Sequence, residues 1–192
     1  MCGRLTAGWS GPARRRPLSL VVRRHGRENH RMTDTAPAFW QRYVSALPAD
    51  HPHRSARPEA FAFGDSPALA NELATLVQAG RKRATASLPI EFTSLGLPLP
   101  AVGDISIVTL ADGIPVAIIE LVEVRHVPFQ AVDAAFAADE GEGDGSLVWW
   151  QAAHRRYFGR VCARLGGKCD EMTPVICQRF RVLWSGDTKP VA

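Results

Sequence analysis

The chain is 192 residues long, with a formal charge of +4 and a pI near 9.2. Residues 1–31 hold eight arginines against Glu28 alone, a net of +7, whereas residues 32–192 hold fifteen Lys and Arg against eighteen Asp and Glu, a net of −3. The nucleic-acid reading that a basic protein invites therefore belongs to the leader and not to the body. No apolar run reaches the length of a transmembrane helix, and 46% apolar residues suit one compact domain.

Residues 1–31 mix Gly, Pro, Ser and Arg without periodicity and read as a disordered leader, with Met32 a candidate start. Residues 32–192 read as a single domain with its core at about 36–184. Residues 37–47 space Phe39, Tyr43 and Leu47 as one helical face. Residues 48–65 read as a Pro- and His-rich loop. Ser66 then caps a helix that begins at Pro67, presents Leu69, Leu73, Leu76 and Val77 on one face, and stops at Gly80.

Residues 83–88 form a short candidate strand, and 89–101 a long irregular connection. Ile105–Leu110 and Pro115–His126 flank an Asp112-Gly113 turn and read as a hairpin. Residues 129–138 look helical, and 139–145 form an acidic, glycine-rich loop. Ser146 caps the longest helix, which runs to about Leu165 before Gly166-Gly167. Thr173–Trp184 closes the chain as a strand that alternates Ile176, Gln178, Phe180 and Val182 with Val175, Cys177, Arg179, Arg181 and Leu183. This order predicts an α+β fold in which few strands curl into a small barrel flanked by helices.

Cys2, Cys162, Cys169 and Cys177 form no Cys-x-x-Cys pair, and Leu18–Val22 is too short for a signal-peptide core. The four read as reduced thiols of a cytoplasmic protein.

Three segments can carry chemistry. Arg81-Lys82-Arg83 followed by Thr85 and Ser87 stands at a helix-to-strand junction. It reads either as a solvated basic turn complementing a helix dipole or as a pocket. In the pocket reading a desolvated lysine acts as a base or holds an oxyanion, and a threonine is a nucleophile or donor. The acidic loop (Asp139, Glu140, Glu142, Asp144) reads as a solvated lead-in to the Ser146 cap or as a metal site, though it lacks the EF-hand register. On the long helix, Trp149 and Trp150 point about 100° apart, so one can line a groove and stack on a base while the other is core. His154 lies on the buried stripe, as a satisfied core histidine or as a site residue. His51-Pro52-His53 lacks a third metal ligand nearby. Phosphate-loop, dinucleotide, zincin and nucleophile-elbow motifs are absent.

As an ensemble, Phe63-Gly64-Asp65-Ser66-Pro67, Gly80-Arg81-Lys82, Thr85, Pro100-Ala101-Val102-Gly103-Asp104, Ile118-Ile119-Glu120, Trp149-Trp150, Ala153-His154 and Cys177-Gln178-Arg179-Phe180 resemble the ASCH domain of the PUA-like superfamily. The resemblance is to the bacterial subgroup with a long Trp-containing helix. It implies a small β-barrel beside a cleft, with RNA or a modified nucleoside as partner, no resident cofactor and no membrane. It also implies one of two activities. One is amide hydrolysis of an N-acylated nucleoside such as N4-acetylcytidine, with Thr85 as nucleophile, Lys82 as proton acceptor and Glu142 (or Glu140) positioning or shuttling protons. The other is RNA binding with ribonuclease activity, for which the carboxylates of the acidic loop offer a place for a divalent metal. Arg81, Arg83, Ser87, Trp149 and His154 are then the ligand-binding candidates. Amidohydrolase members tend to carry Arg where this chain has Ser87. A third reading is a ligand-binding domain without catalysis.

Overall fold

The computed structural model describes residues 35–186, so the Arg-rich leader and Met32 lie outside the described residues. Helix α1 (Ala36–Ser45) has Thr35 as its N-cap and proline in its first turn, and it buries Phe39, Trp40, Tyr43 and Val44. The segment expected to be loop contains a 3₁₀ turn at Pro52–Ser55 and a three-residue strand, β1 (Glu59–Phe61). β1 pairs in parallel with a strand more than forty residues away, so nothing local announces it.

Helix α2 (Pro67–Gln78) begins as expected, with the Ser66 hydroxyl accepting the Leu69 N–H, and turns Ala70, Leu73, Ala74 and Val77 inward. After Gly80 (φ 69°), the Arg81 and Lys82 N–H groups both donate to the Leu76 carbonyl, and strand β2 (Ala84–Ser87) follows. The connection at 89–101 opens with a short helix, α3 (Pro89–Thr93), whose Glu91 accepts the Leu88 N–H at 2.8 Å and the Tyr157 hydroxyl at 2.9 Å. The hairpin is β3 (Ile105–Thr109) and β4 (Pro115–Pro128). The helix expected at 129–138 is displaced: residues 129–131 make a 3₁₀ turn, and α4 (Ala134–Glu140) starts at an Asp133 cap. Helix α5 (Leu147–Arg164) and strand β5 (Pro174–Trp184) complete the described chain.

The strands form one sheet in the order β1-β3-β4-β5-β2, antiparallel except for β1 with β3. The expected barrel is left open. Among the described strands no hydrogen-bonded pair joins β1 to β2, which are only three and four residues long. The long β4 and β5 curl through bulges at Ile118/Ile119 and Leu121/Glu123.

Three apolar clusters hold the layers together. α2 packs on the sheet through Leu73, Ala74, Val77, Phe61, Phe63 and Phe180. α4 and α5 pack on the other face through Phe136, Trp150, Phe158 and Val161 against Val175 and Cys177. α1 covers the third cluster, around Ile107, Ile118 and Trp184.

The thiol reading needs correction. Cys162 and Cys169 form a disulfide, and of the described cysteines only the buried Cys177 is free. The Gly166-Gly167 stop turns the chain back on the last turn of α5, with the Gly167 N–H on the Cys162 carbonyl at 2.8 Å. That reversal brings two cysteines seven residues apart into bonding range.

Candidate functional site

The end of α2 and the start of β2 run against the end of α4. The Arg83 N–H donates to the Asp139 carbonyl at 2.7 Å. Gly141 has φ 66°, and a Cβ there would stand 2.4 Å from the Arg81 carbonyl oxygen. The approach therefore requires glycine, through both conformation and space. It delivers the acidic loop to Lys82.

Lys82 is 1% exposed, so the solvated basic turn is not what forms. Its Nζ donates to Glu140 Oε2 at 3.0 Å and to Glu142 Oε1 at 2.5 Å, and sits 5.2 Å from the centroid of the Phe63 ring. Burial alone would push the lysine pKa down, but the two carboxylates outweigh it and the pKa is raised. Lys82 is held as an ammonium ion.

The two glutamates are tuned in opposite directions. Burial raises the Glu140 pKa, but Lys82, His154 and the Trp150 N–H together bring it below the usual range. Glu142 is raised, first by burial and then by the Glu140 charge, with Lys82 opposing. The cluster thus holds one ion pair plus a second carboxylate that ionises reluctantly.

α5 supplies the wall. Trp150 Nε1 donates to Glu140 Oε1 at 3.1 Å, and the His154 ring stacks on the Trp150 ring with centroids 4.0 Å apart. A carbonyl only accepts, so His154 Nδ1, 3.0 Å from the Trp150 carbonyl, carries a proton. Nε2 then faces Glu140 Oε1 at 3.6 Å. Trp149 is half-buried and lies against Gly143, where a Cβ would meet its ring at 2.2 Å. Arg160 on α5 reaches Asp65 beside Phe63 at 2.6 Å, tying α5 to the segment that precedes α2.

Thr85 and Ser87 lie on β2 directly across from Gln178 and Ile176 of β5. Cross-strand partners share a face, and so do residues two apart. Thr85, Ser87, Gln178 and Phe180 therefore line one face, and Phe180 stacks on the Phe63 that lies beneath Lys82 Nζ. Thr85 is buried. Gln178 Nε2 donates to Ser87 Oγ at 2.9 Å.

The structure thus brings Lys82, Glu140, Glu142 and His154 together, and sets Thr85 and Ser87 on the adjoining sheet face. Arg81 and Arg83 stay on the surface, with Arg83 paired to Asp139 at 2.8 Å. The acidic loop does not fit a metal. Asp139 serves Arg83 and Arg179, Glu140 and Glu142 serve Lys82, and Asp144 accepts the Ser146 N–H. Among the described residues no group of three metal-binding side chains assembles, His51 and His53 included. Nor is any described helix long and apolar enough to cross a membrane.

The sequence reading did not single out Gln178, and it gave Glu140 as the alternative to Glu142, where the structure sets both carboxylates on Lys82. The available signal for Gln178 was its polarity on an otherwise apolar strand face.

No curated protein matches the sequence. A crystal structure of an ASCH domain from Lactobacillus crispatus JV V101 is similar at 36% identity and a TM-score of 0.72, over 76% of this chain and 92% of that one. A crystal structure of a protein from Enterococcus faecalis V583 is similar at 30% identity and a TM-score of 0.66, over 76% of this chain and 86% of that one. The ASCH domain model matches residues 59–184, a span that includes β1, the Lys82 cluster and the whole of β5, and the chain belongs to the ASCH domain family.

Proposed function

We propose that this protein hydrolyses the amide of an N-acylated nucleoside such as N4-acetylcytidine. The observation that carries the reading is a fully buried ammonium group held by two carboxylates of opposite tuning, with a buried threonine on the adjoining strand three residues on. A buried cation held this way does not serve as a base near neutral pH. Lys82 instead donates to the oxygen that becomes negative when the acyl carbon is attacked. Glu142, the more reluctant acid of the pair, is the group suited to take and return a proton.

The steps balance without a cofactor. The Thr85 oxygen bonds to the acyl carbon as its proton passes to Glu142. The C–N bond breaks as that proton returns to the leaving nitrogen, and water then cleaves the acyl-threonine ester. Glu140, fixed by Trp150 and Lys82, positions the lysine.

The test is chromatography of N4-acetylcytidine incubated with the full chain and with Thr85→Ala, Glu142→Gln and Lys82→Met. Cytidine and acetate should appear with the wild type, and each variant should be slowed by roughly 10²–10⁴-fold. Unchanged turnover in Thr85→Ala would overturn the nucleophile, and absence of turnover in the wild type would overturn the reading.

The exposed side chains of Arg81 and Arg83 beside the cluster favour one extension, in which the nucleoside is presented within RNA and the arginines meet its phosphates. Competition between the free nucleoside and a short single strand carrying it tests this. The strand should bind more tightly than the nucleoside, and equal affinities would reject the extension.

A further inference from the structure

Gln178 is 0% exposed, and its Oε1 has no hydrogen-bond partner among the described residues. Burying an acceptor unpaired is costly, and most such atoms in folded proteins find a donor. Exchanging the two amide atoms does not remove the problem. Ser87 Oγ can donate as well as accept, but the amide would then leave an N–H unpaired instead. The misfit is therefore a property of the place and not of the assignment.

The place is informative. Gln178 stands directly across from Thr85, on the sheet face it shares with Phe180. Ser87 holds its amide nitrogen, so the carboxamide is fixed from one side only. Resting on the amide-hydrolase reading, we propose that Gln178 is a specificity residue. Its Oε1 accepts a hydrogen bond from the amide N–H of the bound nucleoside, and the site takes secondary N-acyl amides and rejects their N-alkylated counterparts. The scissile amide of N4-acetylcytidine has one N–H, on the nitrogen bonded to the carbon that Thr85 attacks. An acceptor beside Thr85 is placed to read it. A site built around such a bond discriminates strongly against a ligand that lacks the donor, because the acceptor is then left unpaired.

The experiment compares kcat/KM for N4-acetylcytidine and for N4-acetyl-N4-methylcytidine in the wild type, Gln178→Met and Ser87→Ala. Methionine is close to glutamine in size, so steric rejection of the added methyl persists in Gln178→Met while the hydrogen bond is lost. The wild type should prefer the N–H compound, and Gln178→Met should reduce that preference by roughly tenfold to a hundredfold. Ser87→Ala keeps the carboxamide but frees it, and should give a smaller reduction in the same direction. It also serves as the readout should Gln178→Met fail to fold. A preference unchanged in the folded variants overturns the role of Gln178 alone. A wild type that turns over neither compound overturns the nucleoside reading and this inference with it.

Discussion

At the scale of single residues, the chemistry of Lys82 follows from its neighbours. Removing one partner of a buried ion pair leaves the other charged and desolvated, at a cost of about 3–5 kcal/mol. Lys82→Met leaves Glu140 and Glu142 facing one another without the cation, so both carboxyls should favour the protonated form in the folded state. A carboxyl whose folded pKa is raised contributes stability that is present below its unfolded value and lost as pH rises through the folded value. Urea unfolding of Lys82→Met should therefore show a deficit of about that size at pH 7 that shrinks toward pH 5. The wild type behaves in the opposite sense with respect to Glu140. Its lowered pKa adds stability above the unfolded value, lost as pH falls through the folded one. A deficit independent of pH would reject the coupling. If Glu142 takes the proton as proposed, its raised pKa should give a rate that climbs with pH, with a midpoint above that of an ordinary glutamate, and Glu142→Gln should erase that limb.

At the scale of elements, the site depends on two backbones brought into contact. Gly141→Ala combines a left-handed φ with a Cβ inside the radius of the Arg81 carbonyl. Overpacking of this kind costs about 1–3 kcal/mol, and the loop cannot yield without withdrawing both glutamates from Lys82. Turnover should fall with the melting temperature, and an active, stable Gly141→Ala would show that the apposition is not needed. The disulfide at the far end of α5 makes a useful contrast. Closing a loop of this length contributes about 2–3 kcal/mol in the chain-entropy model. A Cys162→Ala, Cys169→Ala variant should melt earlier yet keep the pH profile, because neither residue touches the Lys82 cluster.

Much of this scale was legible beforehand. The caps at Ser66 and Ser146, the Gly80 stop, the Asp112-Gly113 turn and the alternation of β5 are local signals, and the corresponding elements stand close to where those signals put them. β1 and the displaced start of α4 were not legible. The first is held by a parallel partner distant in sequence, and the second by an Asp133 cap that competes with the preceding apolar run.

At the scale of the whole molecule, the charge argument separates a nucleoside pocket from an extended RNA surface. Residues 32–192 carry a net −3, and Lys82 is neutralised inside the cluster. That leaves Arg81 and Arg83 beside the site, with Arg83 already paired. Two phosphate contacts to a single strand give a log–log salt slope of about −1.4. Affinity for a strand carrying the modified base should therefore fall shallowly with salt, and nucleoside affinity hardly at all. A slope of about −3 or steeper would point to a phosphate-binding surface beyond these two arginines.

The sequence by itself determined the residue types and the secondary elements that carry them: a lysine leaving a helix, a threonine three residues on, an acidic glycine-rich loop and a Trp- and His-bearing helix. Helix stops, caps and strand alternation act over a few residues and can be read one segment at a time. Only the tertiary structure decided that Lys82 is interior rather than solvated, because that depends on carboxylates 58 and 60 residues away. It also decided that Gln178 stands against Thr85 and Ser87, through a pairing of strands about ninety residues apart. Burial and desolvation are properties of what surrounds a group in space, and they turn a basic turn into a candidate catalytic cluster.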